Sequence, residues 1–167
     1  GPDYRGEWFN HNNLIGLGHR RLNIIDPTPD GNQPMLDTDT GNVIAFNGEV
    51  YNYIEIRRTL KKLGIRFNSN SDTEVILKAY RVYGVDCLKY FNGMFAIAIW
   101  DNQRQSLFLA RDRLGIKPLY YYHDNDRFVL ASEAKSLSIY LKSDLGINEH
   151  LVDQYMSFGY IPGEDTL

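Results

Sequence analysis

The sequence predicts a layered α+β domain in which mostly antiparallel sheets are covered by helices. Two strand pairs and a pair of capped helices carry that reading. GMFAIAIW is an apolar run of strand length, broken by the polar stretch Asp101-Asn102-Gln103-Arg104 and followed by SLFLARD, which reads as a hairpin. LYYYHDNDRFVLAS repeats the form around Asp124-Asn125-Asp126. Between and before these runs lie stretches with helical spacing and start signals, and strands grouped this way with helices inserted point to α+β layering.

Taken in order, the apolar residues of LIGLGHRRLNIID fit two short strand pieces. PTPDGNQPM, with three prolines and a glycine, predicts an irregular surface loop over residues 27 to 35. NVIAF is a strand that leads into Asn47-Gly48. That dipeptide is a common hairpin turn, but Tyr53, Ile56, Leu60 and Leu63 behind it have helical spacing. Asn52 can cap that helix, with Glu55 at the reciprocal position and Gly64 at its end. A returning strand would have only about three residues before the cap, shorter than ordinary strands. The pair is therefore expected at a strand-to-helix junction, where backbone N–H groups can face something other than a paired strand.

Ser71-Asp72-Thr73-Glu74 opens a second helix with a capping box, carrying Val75, Ala79 and Val82 inward and ending at Gly84. In the later MFAIAIW run the lack of alternation means that both faces are covered. INEHLVDQYMSFG predicts a last helix with Asn148 as cap and Leu151, Tyr155 and Phe158 on one face.

Bulk properties exclude several classes. The 167 residues, 43% of them hydrophobic, suit one sizeable core. A net charge of −3 and scattered Lys and Arg leave no basic footprint for nucleic acid. No apolar run has the length of a membrane span, and a single cysteine forms no internal disulfide, which fits a cytoplasmic location.

GPDYRG, GHRRLNIID, AFNGEVYNY, SNSDTEVIL, GMFAIAIWD, RDRLGIKPLYYY and ASEAKSL occur in this order. Together they resemble the glutamine amidotransferase domain of glutamine-dependent asparagine synthetases, over essentially the whole chain. The resemblance implies an N-terminal-nucleophile hydrolase-like sandwich of two antiparallel sheets between helical layers. It places this domain at 1–145, with 146–167 as the connection into an absent synthetase domain that would use ATP and Mg²⁺ to amidate aspartate. No cofactor is implied for the amidotransferase domain itself.

The chemistry so implied is hydrolysis of glutamine by a cysteine at the start of the mature chain, with its own α-amino group as base. That group has a reference pKa of about 7.7 to 8.0, so near neutral pH a useful fraction can accept the thiol proton. By resemblance, Asn47 and Gly48 supply the hydrogen bonds to the tetrahedral oxyanion. Losing one such donor typically costs on the order of a hundredfold in rate. Arg21 is the partner of the substrate carboxylate, a task suited to its planar fork. Leu22, Ile24 and Ile25 line the pocket, and Glu49 and Asp72 take the ammonium. Read without the family, Arg21 is an ordinary arginine and Asp72 a first-turn residue favoured by the helix dipole. The run Arg111-Asp112-Arg113 reads as a charge network ending a strand, and His11, His19, His123 and His150 are left without a role.

The sequence departs from the family at the decisive residue. Gly1-Pro2-Asp3 matches the interior of the family's RGPD phrase, so the nucleophile is expected on a preceding segment, and the chain alone is expected to be inactive. Cys87 lies between apolar residues and reads as a structural thiol. A missing strand could also leave the domain dimerising. Alternatives stay open: a scaffold domain that has lost its cysteine, an amidotransferase serving a sugar acid, or a glutamine sensor. The partners expected are glutamine and the synthetase domain, with no nucleic acid and no membrane.

Overall fold

The computed structural model describes residues 1–22, 24–142, 146–163 and 165, and its contacts divide into two units, Gly1–Leu119 and Tyr120–Leu167. The expected boundary at residue 145 falls beside 143–145, outside the described residues.

The first unit begins with a hairpin of β1 (Tyr4–Phe9) and β2 (Gly16–Arg21). A four-stranded antiparallel sheet follows, in the order β3 (Met35–Leu36), β4 (Val43–Val50), β5 (Gly93–Asp101), β6 (Ser106–Arg111). Between β4 and β5 the chain forms α1 (Tyr53–Lys62) and α2 (Asp72–Tyr83), and then a short 3₁₀ stretch, Gly84–Tyr90. Ile44, Phe46 and Val50 of β4 join Phe95, Ile97 and Ile99 of β5 in one core with Leu60 of α1 and Val75, Ile76, Leu77 and Ala79 of α2. Strand residues two apart share a face, so the even-numbered residues of β4 face the helices, whereas Asn47 and Glu49 point to the other face. β5 is buried from Phe95 to Asp101, as the unbroken apolar run predicts. Cys87 is buried in the same core, and burial pushes its thiol up to about 12.

Several local expectations are corrected. β4 does not stop at Asn47-Gly48 but runs through it to Val50, with Asn47 opposite Ala96 and Gly48 opposite Phe95. Leu22, Ile24 and Ile25 lie in no strand, because Arg21 turns the chain there by binding carbonyls further along; Asn23 lies outside the described residues. Asn52 is the N-cap of α1 but makes no side-chain capping bond. Its amide instead ties two other segments, donating to Tyr90 O (2.9 Å) and accepting from Asn92 N–H (3.0 Å). At α2 the Ser71 cap forms, accepting from Glu74 N–H at 3.2 Å. The Glu74 carboxylate reaches back to Asn68 and Ser69 rather than to Ser71. Val82 is exposed, not inward: Ile76, Leu77 and Tyr80 fill that helix's core face instead. The 27–35 loop contains a 3₁₀ turn at Pro29–Gly31.

The second unit holds the expected hairpin, β7 (Tyr120–His123) with β8 (Phe128–Ala131). On it packs α3 (Ala134–Leu141), a helix with no clear start signal in the sequence, and α4 (Val152–Phe158) follows after a 3₁₀ turn at Glu149–Leu151. Among the described residues no helix is long and apolar enough to cross a membrane.

Candidate active site

The edge of β4 that faces away from β5 builds the site. Phe95 exchanges its backbone groups with Asp112, accepting from Asp112 N–H (2.8 Å) and donating to Asp112 Oδ2 (3.1 Å). Backbone groups alternate sides along a strand, so Phe95 offers none to Gly48, its partner across the ladder. Phe46, Gly48 and Val50 therefore direct their N–H groups outward. Phe46 N–H donates to Gln33 Oε1 (2.6 Å) and Val50 N–H to Asp72 Oδ2 (3.1 Å). Between them Gly48 lines a cleft of about 250 Å³, together with Asn47 and Glu49.

Gly48 has to be glycine. Its φ is +145°, a conformation side chains rarely adopt. A Cβ there would lie 2.1 Å from the Met94 carbonyl oxygen and 2.8 Å from Phe95 Cα, both backbone atoms of the paired strand.

Arg21, Leu22, Ile24 and Ile25 form another wall of the same cleft. Leu22 and Ile24 are largely exposed there, an apolar lip at the opening. Arg21 is buried, and its terminal nitrogens are committed to the following loop. Nη1 donates to Thr28 O (3.1 Å) and Asn32 Oδ1 (3.0 Å), and Nη2 to Ile25 O (2.9 Å) and Asp26 O. Those bonds use both N–H groups of each nitrogen, leaving Nε–H. In this arrangement Arg21 shapes the 25–32 loop rather than presenting a two-pronged fork to the cleft. Gly31 makes room for it, since a Cβ there would stand 2.3 Å from Nη2.

Asp72 and Glu49 lie close enough for their charges to interact. Burial raises the Asp72 carboxyl above its usual range, the amides of Val50 and Thr73 pull it back, and Glu49 pushes it further up. Asp72 sits behind the cleft at the start of α2, whereas its neighbour Thr73 reaches the lining. Gln33 joins these parts, bonding Phe46 through its oxygen and Thr73 Oγ1 through its nitrogen (3.2 Å).

Among the lining residues that were not legible as site residues are Gln33, His19 and Lys117. Gln33 lies in a stretch that reads only as loop. His19 Nε2 is 3.0 Å from Phe46 O and must be the donor, so a neutral ring has an acceptor at Nδ1, which is buried and among the described residues has no partner. Burial lowers its pKa against the pull of the Phe46 carbonyl, and Arg21 adds to the lowering. Lys117 is delivered by the RDRLGIK stretch, where Asp112 accepts from the N–H groups of Leu114, Ile116 and Lys117. The expected charge network at residues 111–113 is thus a loop-building device. A second hollow of about 450 Å³, lined by Tyr80, Arg104 and Phe108 among others, contains none of the motif residues.

Comparison with known proteins identifies the family. The model of the glutamine amidotransferase domain family matches residues 1–167. The glutamine-hydrolyzing asparagine synthetase 1 of Bacillus subtilis is 46% identical over 167 residues, covering 100% of this chain and 26% of that protein. The amidase chry2 of Gibberella zeae is 44% identical over 136 residues, covering 81% of this chain and 20% of its own length. The chain therefore spans about a quarter or less of these relatives. In structure it is similar to the glutamine phosphoribosylpyrophosphate amidotransferase of B. subtilis, with TM-score 0.63 and 24% identity over 74% of this chain and 29% of that one. That likeness bears on the fold alone. The whole-chain family match establishes that this chain belongs to the glutamine amidotransferase domain family.

Proposed function

We propose that the cleft binds glutamine and stabilises the oxyanion formed during its hydrolysis, within a longer protein that uses the released ammonia to make an amide. The observation that carries this reading is the outward Gly48 N–H beside Asn47, on an edge whose neighbouring N–H groups are already paired. Donors held in place before the reaction need no reorganisation as charge develops, which is where such sites gain most.

In this reading a thiolate attacks the side-chain carbonyl carbon of glutamine. The carbonyl oxygen takes the negative charge between Asn47 and Gly48, and ammonia leaves with the added proton. Water then releases glutamate from the thioester. In this reading the attacking cysteine is supplied from outside these residues. Cys87 cannot serve, buried as it is and with its thiol pushed up to about 12. Glu49 and Asp72 favour the substrate ammonium, and the Nε–H of Arg21 and the wall of Leu22, Ile24 and Ile25 hold the carboxylate end. In the longer protein the ammonia would serve the amidation of aspartate, in keeping with relatives named glutamine-hydrolyzing asparagine synthetases, and any ATP and Mg²⁺ would be held by the synthetase part.

Titration of the chain with L-glutamine, followed by amide chemical shifts, tests the reading. Weak binding that moves the amides of residues 46–49 is expected, and it should be lost in Arg21→Ala and Asp72→Ala. No shift in this stretch at millimolar glutamine would overturn the proposal. Extended by an upstream segment that begins with cysteine, the protein should release glutamate, and Asn47→Ala should slow that release on the order of a hundredfold.

A further inference from the structure

The cleft contains a cation whose charge is not used by the protein itself. The terminal N–H groups of Arg21 are all taken by the 25–32 loop. Arg20 also lines the cleft, but it is exposed, and its Nε donates to Gly1 O (3.3 Å). Lys117 is half-buried in the cleft wall, and among the described residues its ammonium makes no ion pair and no hydrogen bond. Glu49 lines the same cleft without pairing to it.

The position of Lys117 follows from the ladder. Asp112 Oδ2 accepts both the N–H of Lys117 (3.0 Å) and the N–H of Phe95 (3.1 Å), and Phe95 stands opposite Gly48. From outside, Arg111 clamps the same loop, donating through Nε to Lys117 O (2.7 Å) and through Nη2 to Gly115 O (2.6 Å). One buried carboxylate thereby anchors residue 117 to the strand segment that faces Gly48. A flexible stem on a fixed backbone gives a point charge at that end of the cleft.

We propose that Lys117 faces the side-chain carbonyl oxygen of bound glutamine. Its charge adds to the hydrogen bonds of Asn47 and Gly48 as that oxygen becomes negative, and it holds the side-chain carboxylate of glutamate after ammonia has left. This rests on the glutamine-binding reading and extends it by assigning the cation at the reacting end.

L-glutamine and L-glutamate differ only in the group assigned to Lys117, so their separate titrations into the chain test it. Lys117→Met should weaken glutamate about tenfold, the loss of one charge-assisted bond (about 1.4 kcal/mol). Glutamine should change by about a factor of two, which also shows that the variant is folded, and Lys117→Arg should retain glutamate binding. Equal losses for both ligands, or no loss for either, would overturn the role of Lys117 and leave the cleft assignment standing. Binding of neither ligand by the unaltered chain would overturn both proposals.

Discussion

Replacing Gly48 by alanine tests whether the strand edge is built as described. The added Cβ would stand 2.1 Å from Met94 O, whereas ordinary contacts begin at 3.4 Å, so β4 and β5 must separate locally by about 1.3 Å. Both obstructing atoms belong to the backbone, and no rotamer change relieves the clash. Overpacking of this kind costs about 1 to 3 kcal/mol, and holding a side-chain-bearing residue at φ +145° adds about 1 to 3 kcal/mol. The sum is about 2 to 6 kcal/mol, inside the longest register in the sheet. Gly64→Ala is the control, because its φ is also positive (+85°) but its Cβ would meet nothing within 4 Å. Urea denaturation with a common slope should place Gly48→Ala well below Gly64→Ala in midpoint, and glutamine binding should be lost with it. If the two variants lose equal stability, the close approach of Met94 is not what requires glycine here, and the edge geometry argued from it fails.

Asp112 should carry acid sensitivity. Burial raises its pKa, but the amides of Lys117, Ile116, Phe95 and Leu114 outweigh that and leave it lowered. A depressed pKa contributes stability above the unfolded value of 3.8 that is lost as pH falls through the folded value. Asp112→Asn should therefore cost on the order of 3 kcal/mol at neutral pH and flatten the decline below about pH 4, read from thermal melts across pH. Asp72 should behave in the opposite sense, because its raised pKa makes the ionised form a cost that develops as pH rises from 3.8 through the folded value. Asp72→Asn, which can still accept from Val50, should leave stability at pH 7 equal or higher, with the gain gone below about pH 4, while weakening glutamine in the same titration used above. Cys87 should resist alkylation in the native chain and react once urea unfolds it, since its thiol is buried and raised to about 12; rapid native labelling would contradict its place in the core.

Periodicity and punctuation made the central sheet and its helices legible. The unbroken MFAIAIW run marks a strand with two covered faces, and β5 is that strand. Local signals failed where a tertiary partner outbid them. Asn52 is the cap by position, yet Tyr90 and Asn92 hold its side chain. The apolar residues after Arg21 have strand character, but the guanidinium draws the carbonyls of residues 25, 26 and 28 around itself and bends the chain. At the site, Asn47, Gly48 and Glu49 were legible through the family resemblance; the residues alone put the Asn-Gly pair at a strand-to-helix junction, whereas β4 runs through it. Gln33 and Lys117 broke no local rule. Each became visible only when β4 and the 112–117 loop came together in space.

The same edge explains why binding groups gather here. An unpaired strand edge is normally a hazard, since its N–H groups invite another strand. β3 covers β4 only at Val43 and Ile44. Beyond it the chain covers the edge with side chains: Gln33 on the N–H of Phe46, His19 on its carbonyl, Asp72 on the N–H of Val50. Gly48 lies between these covers, where its φ and the close approach of Met94 admit no side chain. The edge is thus closed on either side of one amide, and the cleft opens at that amide. Because burial and Glu49 raise the Asp72 carboxyl, its ionised form, which suits an incoming ammonium, is a cost to the fold alone. A ligand that brings its own cation relieves that cost on binding, so glutamine should stabilise the native chain more at pH 7 than at pH 4, and Asp72→Asn should remove that difference.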